Sequence, residues 1–218
     1  MTGLILAAAG SGARFESSVP KQFLQFHGKP IYLFALETIG ELCEEIAVVV
    51  PRDWLHRVRK ERSDLDLQER INVIEGGPSR LESVSLGLQA LSPGITRVLV
   101  HDAARPCVTR TLVDRVLGGL QHGAACVPVL PIADTVKEVD GHRVLRTLNR
   151  SRLRLAQTPQ AFDREVLESV LMRAAKEGIS ATDEATLVER SGERVYTVDG
   201  EQENIKITWK QDMNRLVS

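Results

Sequence analysis

The sequence lacks the lysine-ended glycine loop of the P-loop enzymes: neither Gly-Lys-Ser nor Gly-Lys-Thr occurs anywhere in its 218 residues. That excludes the arrangement in which a P-loop cradles ATP or GTP. The dinucleotide-binding fingerprint is also missing. After Gly10 and Gly12 it wants a third glycine, and Phe15 stands in that place. Net charge is nearly absent, −1 from 28 basic and 29 acidic residues. A chain so balanced has little attraction for nucleic acid or an anionic membrane, so neither is an expected partner. The basic run over 57–62 alternates with Val58 and follows Trp54 and Leu55, which suits a solvated helix face. No apolar stretch is long enough for a bilayer. The first apolar run, residues 4–9, ends in glycine and is too short for a signal peptide. The three cysteines, Cys43, Cys107 and Cys126, are odd in number and lack metal spacing. Reduced thiols and a cytoplasmic location are the expectation. The five histidines form no H-x-x-x-H pair, so zinc is not expected either.

What is present is ordinary in bulk, 43% hydrophobic and 26% charged, enough for one domain over 1–218 with a real core. Short apolar runs over 4–9, 46–50, 71–74, 98–100 and 124–129 read as buried strands. Helical patterns separate them. Pro30 opens one with Ile31, Phe34, Ala35, Ile39 and Leu42. Ser79 and Glu82 form a capping box for a second, whose apolar face carries Leu81, Val84, Leu88 and Leu91, and Thr109 caps a third. The alternation predicts an α/β fold: a Rossmann-like, twisted, mostly parallel sheet with helices on both faces. Ligands then bind beyond the carboxyl ends of the strands. The loop after residue 9, the turn at Gly77 and the segment at Asp102 all fall on that edge.

The rhythm changes after Pro131. Residues 134–139 and 143–148 alternate around Asp140-Gly141, a hairpin signal, with too few apolar positions for a core of its own. Residues 132–150 are therefore expected to project as an arm whose apolar side, with Val136, Val139, Val144 and Leu148, needs a partner. Asp163 caps a helix ending at Gly178, Thr182-Asp183-Glu184 starts another, 194–198 and 204–208 read as strands, and a helix closes the chain from about Lys210.

Three places carry chemistry. Gly10-Ser11-Gly12 offers bare backbone amides, flanked by Arg14 and Lys21, which suits several phosphate charges or, alternatively, a plain turn with solvated cations. Asp102, ending a buried strand beside small Ala103 and Ala104, suits Mg²⁺ or another divalent cation, which commonly takes one or two carboxylates plus substrate phosphates. An Asp there also suits a turn cap. Lys206, between Ile205 and Ile207, is either a solvated edge lysine or a cation aimed into the same cleft. Among Arg150, Arg152 and Arg154, local pattern does not choose which guanidinium faces a ligand.

These pieces, LAAAGSGARF with PKQ, GGPSRLESV, HDAARPCV, DTVK, NRS with QTPQAF, TDEA and ENIKIT, run in order from Leu4 to Thr208. Together they resemble the 2-C-methyl-D-erythritol 4-phosphate cytidylyltransferases, and the late set from TPQ to ENIKIT separates that family from wider nucleotidyltransferases. The resemblance implies a glycosyltransferase-A-like nucleotidyltransferase fold and transfer of CMP from CTP to a sugar-alcohol phosphate. It implies that Arg14, Lys21, Arg150 and Lys206 act in catalysis. Ala8, Ala9, Gly10, Gly12, Gly77, Ser83 and Ala103 would hold the nucleotide. Asp102, Arg105, Thr135, Thr158 and Thr182 would meet the acceptor, with Asp102 also the metal ligand. It further implies a homodimer joined through the arm, with Thr135 near the partner's site. Many members carry an acidic residue where this chain has Pro78, a difference that bears on a base or ribose contact rather than on the reaction. The chemistry agrees, because a phosphate monoester already carries about −1.5 to −2 charge at neutral pH and needs no general base. The alternatives are a ribitol-5-phosphate cytidylyltransferase, a sugar-1-phosphate nucleotidyltransferase for another base, and a non-catalytic nucleotide-binding domain. The last has no use for Arg14, Lys21, Asp102 and Lys206 together.

Overall fold

The computed structural model describes residues 1–10, 15, 17 and 19–216. Strand β1 (Thr2–Ala7) is followed by a two-residue hairpin, β2 (Gln25–Phe26) and β3 (Lys29–Pro30), and by helix α1 (Ile31–Gly40). Then come β4 (Glu45–Val50), α2 (Leu55–Arg62), β5 (Ile71–Glu75), α3 (Arg80–Gln89), β6 (Arg97–Asp102), α4 (Arg110–Gly119) and β7 (Ala125–Pro131). The later chain adds β8 (Lys137–Asp140), β9 (Arg143–Thr147), β10 (Arg154–Ala156), β11 (Gln160–Asp163), α5 (Arg164–Glu177), α6 (Glu184–Arg190) and β12 (Val195–Asp199).

Eight strands form the central sheet, in the order β5-β4-β1-β6-β11-β7, with β10 beside β11 along one edge of β7 and β12 along its other edge. β1 lies parallel between β4 and β6, with Leu4 beside both Ile46 and Leu99. Successive residues of a strand face opposite sides, and here both sides are covered. Leu4 and Leu6 face one apolar cluster with Tyr32, Leu36 and Ile39 of α1 and Leu112 and Val116 of α4. Ile5 faces the other, with Val84 and Leu88 of α3, Leu167 and Leu171 of α5 and Leu187 of α6. Burying each such side chain stabilises the fold by about 1.5–3 kcal/mol. Helix α3 comes close to β1 because Gly87 has no side chain: a Cβ there would sit 2.6 Å from Ile5 Cγ2.

The caps foreseen at Ser79, Thr109 and Asp163 all form, each side chain accepting from backbone N–H groups of the first turn. Gly178 ends α5 at φ +65°, in the left-handed region. Two expectations need correction. Residues 204–208 are not a strand. The Ile205 N–H turns back to the Glu203 carbonyl, and the Asn204 carbonyl is taken by side chains of Arg105 and Gln157, leaving the Ile207 N–H to the Ala104 carbonyl. The closing helix is a 3-10 turn, Lys210–Leu216. Antiparallel β11, wedged between β6 and β7 with Ala161 opposite both Leu99 and Cys126, was not foreseen.

The hairpin forms as expected. β8 and β9 pair with each other in a sheet of their own, turning at Gly141 with φ +55°, and Leu148 N–H bonds Val136 O at its base. Val139 and Val144 sit opposite one another, each 54% exposed, and Leu155, in β10 at the edge of the central sheet, is 53% exposed. None of the described helices is long and apolar enough to cross a membrane.

Candidate active site

At the carboxyl edge of the sheet, where the chain leaves β1 for β4 on one side and later places β6 on the other, lies a cavity of about 490 Å³. This is the place where a doubly wound sheet opens a crevice. Its walls come from the loop after β1 (Ala9, Gly10), the turn before α3 (Gly77, Pro78, Ser79), α3 itself (Arg80, Ser83), the end of β6 (Asp102, Ala104), and Lys21, Gln22 and Lys206. The first two walls touch because position 76 is glycine: a Cβ there would lie 2.4 Å from the Ala9 Cβ.

Asp102 is the one carboxylate among these lining residues. Lys206 Nζ lies 2.7 Å from its Oδ2, Arg80 Nη2 lies 3.4 Å from its Oδ1, and Arg105 Nε lies 3.8 Å from Oδ2. Burial pushes this carboxyl up, but Lys206, Arg80 and Arg105 outweigh it and hold the group well below the usual carboxylate range. Lys206 therefore takes the second of its two sequence readings. It faces the cleft.

The backbone behind Asp102 is fixed by a chain of hydrogen bonds. The Arg105 carbonyl can only accept, so it receives the proton of His101 Nε2 at 3.0 Å. His101 Nδ1 then accepts from the Thr158 hydroxyl at 3.2 Å, and the same hydroxyl oxygen accepts from the Asp102 N–H at 3.0 Å. This pattern needs a neutral imidazole, and burial supplies one by lowering the His101 pKa to about 4. Arg105 also donates to the Asn204 carbonyl at 2.8 Å, and Asn204 Nδ2 donates to Thr158 O at 2.8 Å, so the late segment carrying Lys206 is tied to the same cluster.

Arg80 pairs with Glu184 as well as with Asp102. Glu184 is fully buried at the first turn of α6, where burial raises its pKa against the pull of Arg80. Gln22, also lining the cavity, is 3% exposed and donates its amide protons to two carbonyls, Ala8 at 2.6 Å and Gly10 at 3.0 Å. The next residue, Phe23, stacks on Trp54 at 4.1 Å between centroids and meets Tyr32 edge-on at 5.7 Å.

Of the residues singled out from sequence, Ala9, Gly10, Lys21, Gly77, Ser83, Asp102 and Lys206 line the cavity. Ala8, Ala103, Arg105 and Thr158 lie in the buried layer that supports it; the Ala103 N–H bonds Ala7 O, and Ala104 lines the wall where Ala103 was expected. Thr135, Arg150 and Thr182 are exposed. Arg150 donates to the Ala133 carbonyl at the foot of the arm, and Thr182 precedes the Asp183 cap of α6. Gly12 and Arg14 lie outside the described residues. Sequence reasoning missed Arg80, Glu184, His101 and Gln22.

A lone ionised carboxylate fits a divalent cation that brings nucleotide phosphates as its other ligands. It does not fit an all-protein cage, and no group of three or more His, Cys, Asp or Glu suited to one occurs among the described residues.

A family model described as 2-C-methyl-D-erythritol 4-phosphate cytidylyltransferase matches residues 2–216. The protein of that name from Streptomyces avermitilis is 40% identical over 226 residues, covering 97% of this chain and 88% of its own. The crystal structure of the protein of that name from Thermus thermophilus superposes with a TM-score of 0.80 at 36% identity, covering 98% of this chain and 95% of that one. That of 4-diphosphocytidyl-2C-methyl-D-erythritol synthase from Anaerococcus prevotii gives 0.86 at 29% identity, with the same coverage.

Proposed function

Because the chain belongs to the 2-C-methyl-D-erythritol 4-phosphate cytidylyltransferase family, we infer that it transfers a cytidylyl group from CTP to 2-C-methyl-D-erythritol 4-phosphate and releases pyrophosphate. It is a nucleotidyltransferase of isoprenoid biosynthesis. The observation that carries the reading is the ionised Asp102, ringed by Lys206, Arg80 and Arg105, in a cavity that Ala9, Gly10 and Lys21 also line. Two polyanions must be brought together and held in line there.

In this reading the acceptor phosphate attacks the α-phosphorus of CTP directly. The glycine loop with Gly10 and Gly12 holds the triphosphate, and Lys21 and Arg14 neutralise the charge that builds at the transferring phosphorus. Gly77 and Ser83 hold the cytidine. Asp102 would hold a divalent cation, which when bound would supply further charge neutralisation at the nucleotide phosphates. Arg105, Thr158, Thr182 and Lys206 form the acceptor side. Thr158 acts from behind Asp102, through its bond to the Asp102 N–H.

The arm completes the proposal. Its paired Val139 and Val144 are more than half exposed, and a two-stranded ribbon is marginal in water on its own. A second copy covering that face gives a symmetric dimer, in which Thr135 and Arg150 serve the partner's site. A cytoplasmic setting without a nucleic-acid partner agrees with the near-zero net charge and with buried Cys43 and Cys126, whose pKa values burial pushes up to about 12 and about 11.

Turnover with each of the four ribonucleoside triphosphates, against methylerythritol phosphate and ribitol 5-phosphate in turn, tests the reaction. CTP with methylerythritol phosphate should give the highest kcat/KM, and a preference for ribitol 5-phosphate would overturn the acceptor. Replacing residues 136–147 by a short Gly-Ser turn tests the arm. Loss of the dimer together with activity supports it; a fully active monomer refutes it.

A further inference from the structure

The glycine loop has a weakness as a phosphate site. Each peptide offers a carbonyl as well as an N–H, and a carbonyl oxygen turned toward a triphosphate repels it. Gln22 answers this for two of the carbonyls, Ala8 and Gly10, by donating one amide proton to each. Both bonds are made by a side chain that is almost fully buried, where an unpaired amide would be costly. The trans Ala8–Ala9 peptide is planar, so holding its carbonyl toward Gln22 sends the Ala9 N–H to the opposite side. Ala9 and Gly10 both line the cavity.

Gln22 is itself held. It sits in the 3-10 turn Lys21–Phe23, between the cavity-lining Lys21 and the buried Phe23. Phe23 is clamped by Trp54 on one ring face and Tyr32 at its edge, and Tyr32 is fixed in turn by donating to Glu61 Oε2 at 2.7 Å. The path from the α2 region to the glycine loop is thus continuous: Glu61, Tyr32, Phe23, Gln22, then the Ala8 and Gly10 carbonyls.

We propose that Gln22 is a positioning residue for the nucleotide: it withdraws two carbonyl lone pairs from the triphosphate and sets the spacing between the glycine loop and Lys21. It touches neither reacting phosphate. The inference rests on CTP being the substrate and deepens that reading. Its consequence is selective, because Gln22 bonds only the Ala8 and Gly10 carbonyls of the loop assigned to the triphosphate, and none of its bonds reaches Arg105, Thr158, Thr182 or Lys206, which are assigned to the acceptor.

The test compares Gln22→Met, which keeps length and removes both donors, with Gln22→Glu, which sets a carboxylate against the two carbonyls. Gln22→Met should raise KM for CTP by about tenfold or more while KM for methylerythritol phosphate stays within about twofold. Gln22→Glu should be worse for CTP, and Gln22→Asn, one methylene short but still an amide, should fall between wild type and Gln22→Met. Direct calorimetric titration of CTP into each variant, well below its own Tm, should give the same order and separates a binding defect from partial unfolding. An unchanged KM for CTP in Gln22→Met overturns the proposal. So does an equal rise in both KM values, which marks general loosening of the fold. If the wild type itself ignores CTP, the reading of the reaction falls first, and with it this one.

Discussion

Replacing Asp102 with Asn keeps the shape of the side chain and removes the charge that Lys206, Arg80 and Arg105 share. Taking one partner from a buried ion pair costs about 3–5 kcal/mol when the other charge is left stranded. Here none of the three cations loses its last polar partner, although Asp102 is the carboxylate that offsets the buried Arg105. The Lys206 side chain is 39% exposed and turns to water, Arg80 keeps Glu184, and Arg105 keeps the Asn204 carbonyl at 2.8 Å. The asparagine backbone also retains its N–H bond to Thr158. The expected loss of stability is therefore about 1–2 kcal/mol, the scale of a few weakened hydrogen bonds. For a chain of this size that lowers Tm by about 2–8 °C. Turnover should suffer far more, by about 10²- to 10³-fold, as when a preorganised charge is removed from a polar active site. Scanning calorimetry gives the first number and CTP-dependent pyrophosphate release the second. Wild-type turnover in Asp102→Asn refutes the site. A Tm loss several times larger refutes the claim that the cations have other places to go.

Two further outcomes follow from the same geometry. Lys21→Ala should lower kcat more than it raises KM for CTP, with a total loss on the order of 3–4 kcal/mol, because its charge matters most as the transferring phosphorus reacts; a raised KM with unchanged kcat contradicts this. His101 should make the protein acid-sensitive. Its folded pKa, about 4, is below the unfolded value of 6.5, so the unfolded chain takes up the proton first as pH falls. The His101 contribution is complete above the unfolded value and is lost on acidification toward the folded one, at about 1.4 kcal/mol per pH unit. Asp102, also lowered, works in the same direction in more acid solution, while Glu184, raised by burial, works against it. The difference between wild type and His101→Gln in urea midpoint across this window isolates the histidine. An identical pH slope in both contradicts the neutral-imidazole relay.

Much of the fold was legible because its signals are local. Buried runs such as Leu4 to Ala7 and Ile46 to Val50 state their own burial, and Ser79, Thr109 and Asp163 each cap the turn that follows them. β11 left no such trace. Gln160 to Asp163 is four residues with two apolar positions, and it becomes a strand because β6 and β7 leave a slot for it. The alternation at Ile205, Lys206 and Ile207 imitated a strand, but Asn204 is bound by side chains and only Ile207 reaches a neighbouring backbone. In the site, the convergence of Gly10, Lys21, Gly77 and Asp102 on one sheet edge was legible, and all four line the cavity. Arg80 was not, since its role comes from Glu184, 104 residues away, while locally it reads as part of a helix start. Gln22 was hidden for a related reason. A glutamine beside a lysine says nothing until the loop it ties down, 12–14 residues earlier, folds back against it.

The central claim is that this site neutralises and aligns two anions and attaches neither to itself. The stereochemical course at the α-phosphorus tests that directly. With CTP made chiral there by sulfur and a labelled oxygen, a single in-line displacement by the acceptor phosphate yields a product of inverted configuration. The account predicts inversion. Retention would mean two successive displacements through a cytidylylated side chain, and would contradict it.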